Sequence, residues 1–335
     1  MILGDKKMTK TRTNRNLANI YFLILMILLW GVNFLPEDIL AGTSENFAVN
    51  ASISEIIIAV PALLMIGIWL IIRAVKYPDR EPGQSPLLSD RLMFRALKPS
   101  SMLMTVLYTL TIMPLITLCN LITMLFVDNT ILEYSTDIID MPMPLAVFML
   151  AILPPFCEEL AFRGVVYGGY RRDCRPAGAI LMSAFLFGLM HGNINQFAYA
   201  FVIGIAMAFM VEATGSIWPS ILIHICINLR SVVAMFLLEH LQSGIFEEYL
   251  EMGEDLATEG MGLSILIYAI LSVITILMAG AILGWVAQNE GRANPLKIFL
   301  ASRHYKSERV SVWSVSLIIG IIAAIAMMVL VEVYA

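Results

Sequence analysis

The stretch PLAVFMLAILPPFCEELAFRGVVYGGY, residues 144–170, decides how this chain is read. A bilayer-spanning helix takes about 20 mostly apolar residues, and this one is long enough. Yet it carries Glu158, Glu159 and Arg163 toward its middle. An ionisable side chain at mid-bilayer costs roughly 2.5–3.5 kcal/mol on insertion scales, so each one needs a reason to be there. Adjacent helical side chains diverge by about 100°, so the two glutamates are not expected to share one partner. Arg163 lies four residues past Glu159, on the same face, and is placed for a charge-assisted pair with it. That leaves Glu158 with no sequence-local counter-ion, a position that suits a general base.

The rest of the chain has the same character. Of 335 residues, 59% are hydrophobic and 14% charged, with a mean hydropathy of +0.82. A soluble domain has about 45–50% apolar and about 25% charged residues. Water-soluble globular, disordered and fibrous classes are therefore poor fits. A net charge of −5 and a pI near 5.4 argue against a nucleic-acid partner. The predicted fold is all-α, a polytopic transmembrane bundle of about nine spans. They fall near 18–35, 54–74, 101–126, 144–162, 177–191, 196–211, 217–238, 262–286 and 310–333. The spans at 177–191 and 196–211 are short for a full crossing and form a tight hairpin through Gly192–Asn195.

Charge sets the orientation. Lys and Arg gather in cytoplasmic connections, and a nine-span chain puts 20 of its 21 Lys and Arg on one side, in the N-terminal tail and near 73–98, 163–175 and 287–309. The N-terminus is then cytoplasmic and the C-terminus on the far side, together with the acidic run Glu247–Glu259. The exception, Arg230, reads as a structural charge near the outer leaflet. The first apolar stretch also fits a signal peptide, but the following Asn33-Phe34-Leu35-Pro36-Glu37 lacks a small-x-small cleavage site, so a retained helix is expected. The organisation is a basic tail (1–17), N-terminal helices (18–143) with a cytoplasmic loop at 75–100, a central core (144–238), an acidic extracytoplasmic loop (239–261) and C-terminal helices (262–335). Cys119, Cys157, Cys174 and Cys226 have no paired spacing and suggest neither a disulfide scaffold nor a zinc finger.

Two further segments put polar groups where lipid is expected. In Phe187-Gly188-Leu189-Met190-His191 the i, i+4 spacing places Phe187 and His191 on one face. A lone histidine on an apolar helix is usually a packing residue, but only four histidines exist and two of them lie in spans. In the helix that opens near Gly215 and Pro219, His224 and Asn228 are again one turn apart; a helix–helix contact would explain that pair equally well.

One carboxylate, two histidines and an amide on three helices form the parts list of a hydrolase. Glu158 can take a proton from water that His191 orients, and His224 and Asn228 can donate to the oxyanion of a tetrahedral intermediate. No Ser-His-Asp set or Gly-x-Ser-x-Gly is present. Cys157 and Cys226 adjoin these residues, but neighbouring helical positions point apart, which disfavours a cysteine nucleophile.

These segments resemble the CAAX-protease and bacteriocin-processing family, also called Abi, which includes the type II CAAX prenyl endopeptidases. Its Glu-Glu-x-x-x-Arg motif matches Glu158, Glu159 and Arg163; Phe-x-x-x-His matches Phe187 and His191; His-x-x-x-Asn/Asp matches His224 and Asn228. All three occur in the family's order, over residues 158–228. The resemblance implies an intramembrane endopeptidase in the cell membrane, acting on a membrane-anchored or lipid-modified peptide. By the same resemblance Glu158 and His191 activate water, and His224 and Asn228 hold the oxyanion. No cofactor is expected, although family members have also been described as metalloproteases. Glu, His and His can ligate a divalent metal such as zinc, but His-Glu-x-x-His is missing. The alternatives are a proton-coupled transporter using the same residues and a non-catalytic scaffold or immunity protein.

Overall fold

The computed structural model describes residues 12–33, 47–76, 93–129, 135–241, 260–305 and 310–334. The first 11 residues, most of the 75–100 loop and residues 242–259 of the acidic 239–261 loop lie outside them. Nine long helices follow in order: α1 (Thr13–Asn33), α2 (Phe47–Lys76), α3 (Pro99–Thr123), α4 (Met143–Asp173), α5 (Pro176–Met190), α6 (Ile194–Thr214), α7 (Trp218–Leu241), α8 (Met261–Asn289) and α9 (Val315–Tyr334). The described residues contain no β-strand, only an isolated bridge between Cys174 and Val310.

Each expected apolar stretch falls on a helix. Among the described residues seven helices are long and apolar enough to cross a bilayer, as in a multi-pass membrane protein. The apolar runs Ser52–Ile68 and Pro176–Met190 are shorter. Fifteen residues, the length of α5, rise only about 22 Å at 1.5 Å each, against a hydrocarbon core about 30 Å thick.

Local chemistry sets the helix ends. Pro99 and Pro176 open α3 and α5 at a position where the missing N–H has no helical use. Asn193 caps α6, its side chain accepting from the Gln196 N–H at 2.8 Å. Gly215 closes α6 in the left-handed region at φ 67°, as a helix C-terminus commonly requires.

Helix α4 is central, and its neighbours are tied to it by polar contacts as well as packing. Tyr21, Phe22, Leu25 and Met26 of α1 are fully buried. Tyr170 at the end of α4 donates to Asn19, and the Asp173 carboxylate accepts from the Asn14 side chain and the Arg15 backbone N–H. Removing α1 would therefore expose both apolar and charged surface. On the α6 side, Arg171 pairs with Glu212 through two bonds of 2.8 and 2.7 Å, and Tyr167 donates to the same carboxylate.

Helices α5 and α6 form the expected hairpin and approach closely at small residues, as membrane helices do. Phe197 lies against Gly188, and Ala184 against Gly204. A Cβ on Gly204 would sit 2.9 Å from Ala184 Cα, so the helices would have to separate. Gly204→Ala is expected to lower stability by about 1–3 kcal/mol, measured as thermal unfolding in detergent. Gly280→Ala in α8, whose Cβ would meet its nearest neighbour at an ordinary 3.8 Å, is the matched control and should cost little.

Candidate active site

Helix α4 is not regular. Pro154 and Pro155 cannot donate to the backbone ladder, and wide π-helical turns flank them, at Val147–Ile152 and Leu160–Tyr167. Such insertions accommodate a broken ladder and are frequent at functional sites. The short α-helical piece between them, Leu153–Glu159, ends on the two glutamates. Glu158 is 8% exposed, Glu159 0% and Arg163 1%.

The expected pair forms: Arg163 Nη1 lies 2.8 Å from Glu159 Oε1. The same guanidinium donates through Nη2 to the Gly204 carbonyl at 3.2 Å and lies 4.5 Å from the centroid of the Phe187 ring. Glu159 is thus held by a cation that is itself held by α5 and α6.

One expectation is refined. The glutamates face one imidazole on its two different edges, although only Glu159 bonds to it. His224 Nδ1 is 3.3 Å from Glu159 Oε1, and His224 Nε2 is 4.0 Å from Glu158 Oε2. The first is a hydrogen bond; the second is a near approach. Since an ionised carboxylate only accepts, the bond to Glu159 requires the proton on Nδ1. Oε2 of Glu158 and Oε2 of Glu159 have no protein hydrogen-bond partner, and buried polar atoms call for one.

Phe187 organises the histidines. Its ring meets His191 edge-on at 5.1 Å and His224 at 5.7 Å, with Phe162 on a third side at 5.3 Å. His191 Nδ1 is 2.8 Å from the Phe187 carbonyl. A carbonyl only accepts, so Nδ1 carries the proton and Nε2 of the neutral ring keeps its lone pair. Glu158, Glu159, Arg163 and His224 are thus brought together directly. His191 joins them across the Phe187 ring, with no hydrogen bond to Glu158 among those described. Asn228, one turn beyond His224, donates instead to the Leu150 carbonyl of α4 at 3.0 Å.

One acidic residue at this site was not anticipated. Glu55 of α2 is 8% exposed, and one of its oxygens has no protein partner. Its carboxylate lies near the Cys157 thiol and the Glu158 carboxylate. The predicted second span begins at 54, which makes Glu55 look like an end-of-helix charge. The helix begins at Phe47, so Glu55 is two turns inside it. Among the described residues no three His, Cys, Asp or Glu side chains are arranged to hold a metal ion, and Glu159 is already engaged by Arg163 and His224.

Breaking one partner of a buried ion pair leaves an uncompensated charge, at about 3–5 kcal/mol. Arg163→Ala is expected to cost that much in thermal unfolding. Combining it with Glu159→Leu should cost less than the sum of the two single changes.

Residues 141–230, which hold every motif residue above, match the family model described as Type II CAAX prenyl endopeptidase Rce1-like. The "Putative membrane peptidase YdiL" of Bacillus subtilis (strain 168) is 28% identical over 90 residues, 27% of this chain and 37% of that relative's length. No solved structure matches this chain. This match over residues 141–230 agrees with the resemblance to the CAAX-protease family read from the three motifs.

Proposed function

We propose that this protein is an intramembrane endopeptidase of the cell membrane that cleaves membrane-anchored or lipid-modified peptides with water activated by Glu158. The observation that carries the reading is the placement of His224 against both members of a buried glutamate pair, with one Glu158 oxygen lacking any protein donor. The match to the CAAX-protease family over the same residues supports it, and no observation here favours a transporter or a scaffold.

In this scheme a water molecule hydrogen-bonds to the Glu158 carboxylate and to the lone pair on His191 Nε2. Glu158 takes one proton as the oxygen adds to the scissile carbonyl. The oxyanion accepts from His224 Nε2–H and from the Asn228 amide, whose second proton remains after the bond to Leu150. His224 is then an imidazolium, and Glu159, already bonded to its Nδ1, stabilises that charge. As the C–N bond breaks, Glu158 returns its proton to the leaving amine, giving a new carboxyl and a new amino terminus. Glu159 and Arg163 hold the geometry and do not exchange protons.

The test uses the purified full-length protein in lipid nanodiscs with a membrane-anchored peptide. Glu158→Ala and His191→Ala should abolish cleavage while the variants remain folded and inserted. His224→Ala should lower kcat by about 10²–10³-fold, the usual cost of one oxyanion donor. Unchanged proteolysis by Glu158→Ala would end this reading. Dialysis against EDTA is expected to leave the rate unchanged; a loss restored by zinc would replace the glutamate mechanism with a metal-dependent one.

A further inference from the structure

The two prolines that precede the glutamates withhold two backbone donors from α4, and one of the carbonyls this leaves without a donor in its own helix is that of Leu150. In an α-helix the Leu150 carbonyl accepts from the N–H of residue 154, and in a π-helix from that of residue 155. Both are proline, which has no N–H. The N–H of Leu153 is directed to the Phe148 carbonyl. At membrane depth there is no bulk water to satisfy such a group. The donor comes from another helix: Asn228 Nδ2 lies 3.0 Å from Leu150 O. One turn earlier on the same helix, His224 Nδ1 reaches Glu159. Helix α7, running antiparallel to α4, is therefore joined to it on both sides of the prolines, at 150 and at 159.

We propose that Asn228, beyond its place at the oxyanion, is a positioning residue that supplies one of the hydrogen bonds Pro154 and Pro155 cannot, and so fixes the break in α4 that presents Glu158 and Glu159 to His224. Without this bond the 147–153 turn has no external tether, and its carbonyl must find a partner by rearranging the backbone that carries the glutamates. The catalytic consequence rests on the protease reading; the structural part does not.

The experiment follows hydrogen–deuterium exchange and cleavage in the full-length protein. Asn228→Ala should raise exchange across residues 147–157 by about tenfold or more and leave α5 unchanged. It should also lower kcat of the folded enzyme by about 10–100-fold at constant KM, as misplacement of reacting groups does. In a Pro154→Ala/Pro155→Ala background the backbone donors return, and Asn228→Ala should then add little to exchange or to the thermal midpoint. Independent, additive effects in the two backgrounds would overturn the proposal. So would a fall in kcat with unchanged exchange, the signature of an oxyanion donor alone. A lower thermal midpoint with undiminished kcat would reduce Asn228 to a packing role and equally overturn it. If the proline variant does not fold, comparison of Asn228→Ala with the wild type decides. Failure of the wild type to cleave any peptide would count against the protease reading while leaving the exchange result standing.

Discussion

A carboxylate buried in an apolar helix needs something close by to balance or share its charge, and α4 buries two in succession. The arrangement around Glu159 answers that requirement. Its cation, Arg163, comes from the next turn, and that cation is steadied by the Gly204 carbonyl and the face of Phe187. With Glu159 settled in this way, one edge of His224 is fixed as well. Glu158 is the residue left over, next to the same imidazole but without a full bond to it. The two glutamates differ in their duties because their surroundings differ, not because of their chemistry.

The break in α4 makes this geometry attainable. In a regular α-helix side chains repeat every 3.6 residues. Two prolines and two wide turns interrupt that regularity on either side of the glutamates. Contacts farther along the same helix, Tyr167 and Arg171 with Glu212 and Asp173 with α1, hold its lower portion to two neighbours. The irregular portion thus lies between a firmly anchored end and helix α7.

Much of this was legible beforehand, and the reasons are physical. Apolar stretches of helical length declare themselves by composition, and Glu159 with Arg163 follows from spacing within one helix. The grouping of Glu158, His191 and His224 came from polar residues placed where lipid disfavours them. Relations across helices were harder. Nothing in the spacing of residues 158 and 224 says that one imidazole faces both carboxylates, since that depends on how α7 leans on α4. The prolines announce an unserved carbonyl, but only the packed structure identifies Asn228 as its donor. Glu55 escaped notice because its helix begins seven residues earlier than its hydropathy suggests.

Gly204 joins two kinds of interaction that are usually discussed apart. Its bare Cα lets α5 and α6 touch at Ala184, while its carbonyl receives the guanidinium that counterbalances Glu159. Bulk introduced at that crossing would carry the carbonyl away from Arg163, so a steric change remote from the glutamates would arrive at them as an electrostatic one. Surveys of tolerated substitutions in this hairpin should accordingly find size and charge inseparable at this position.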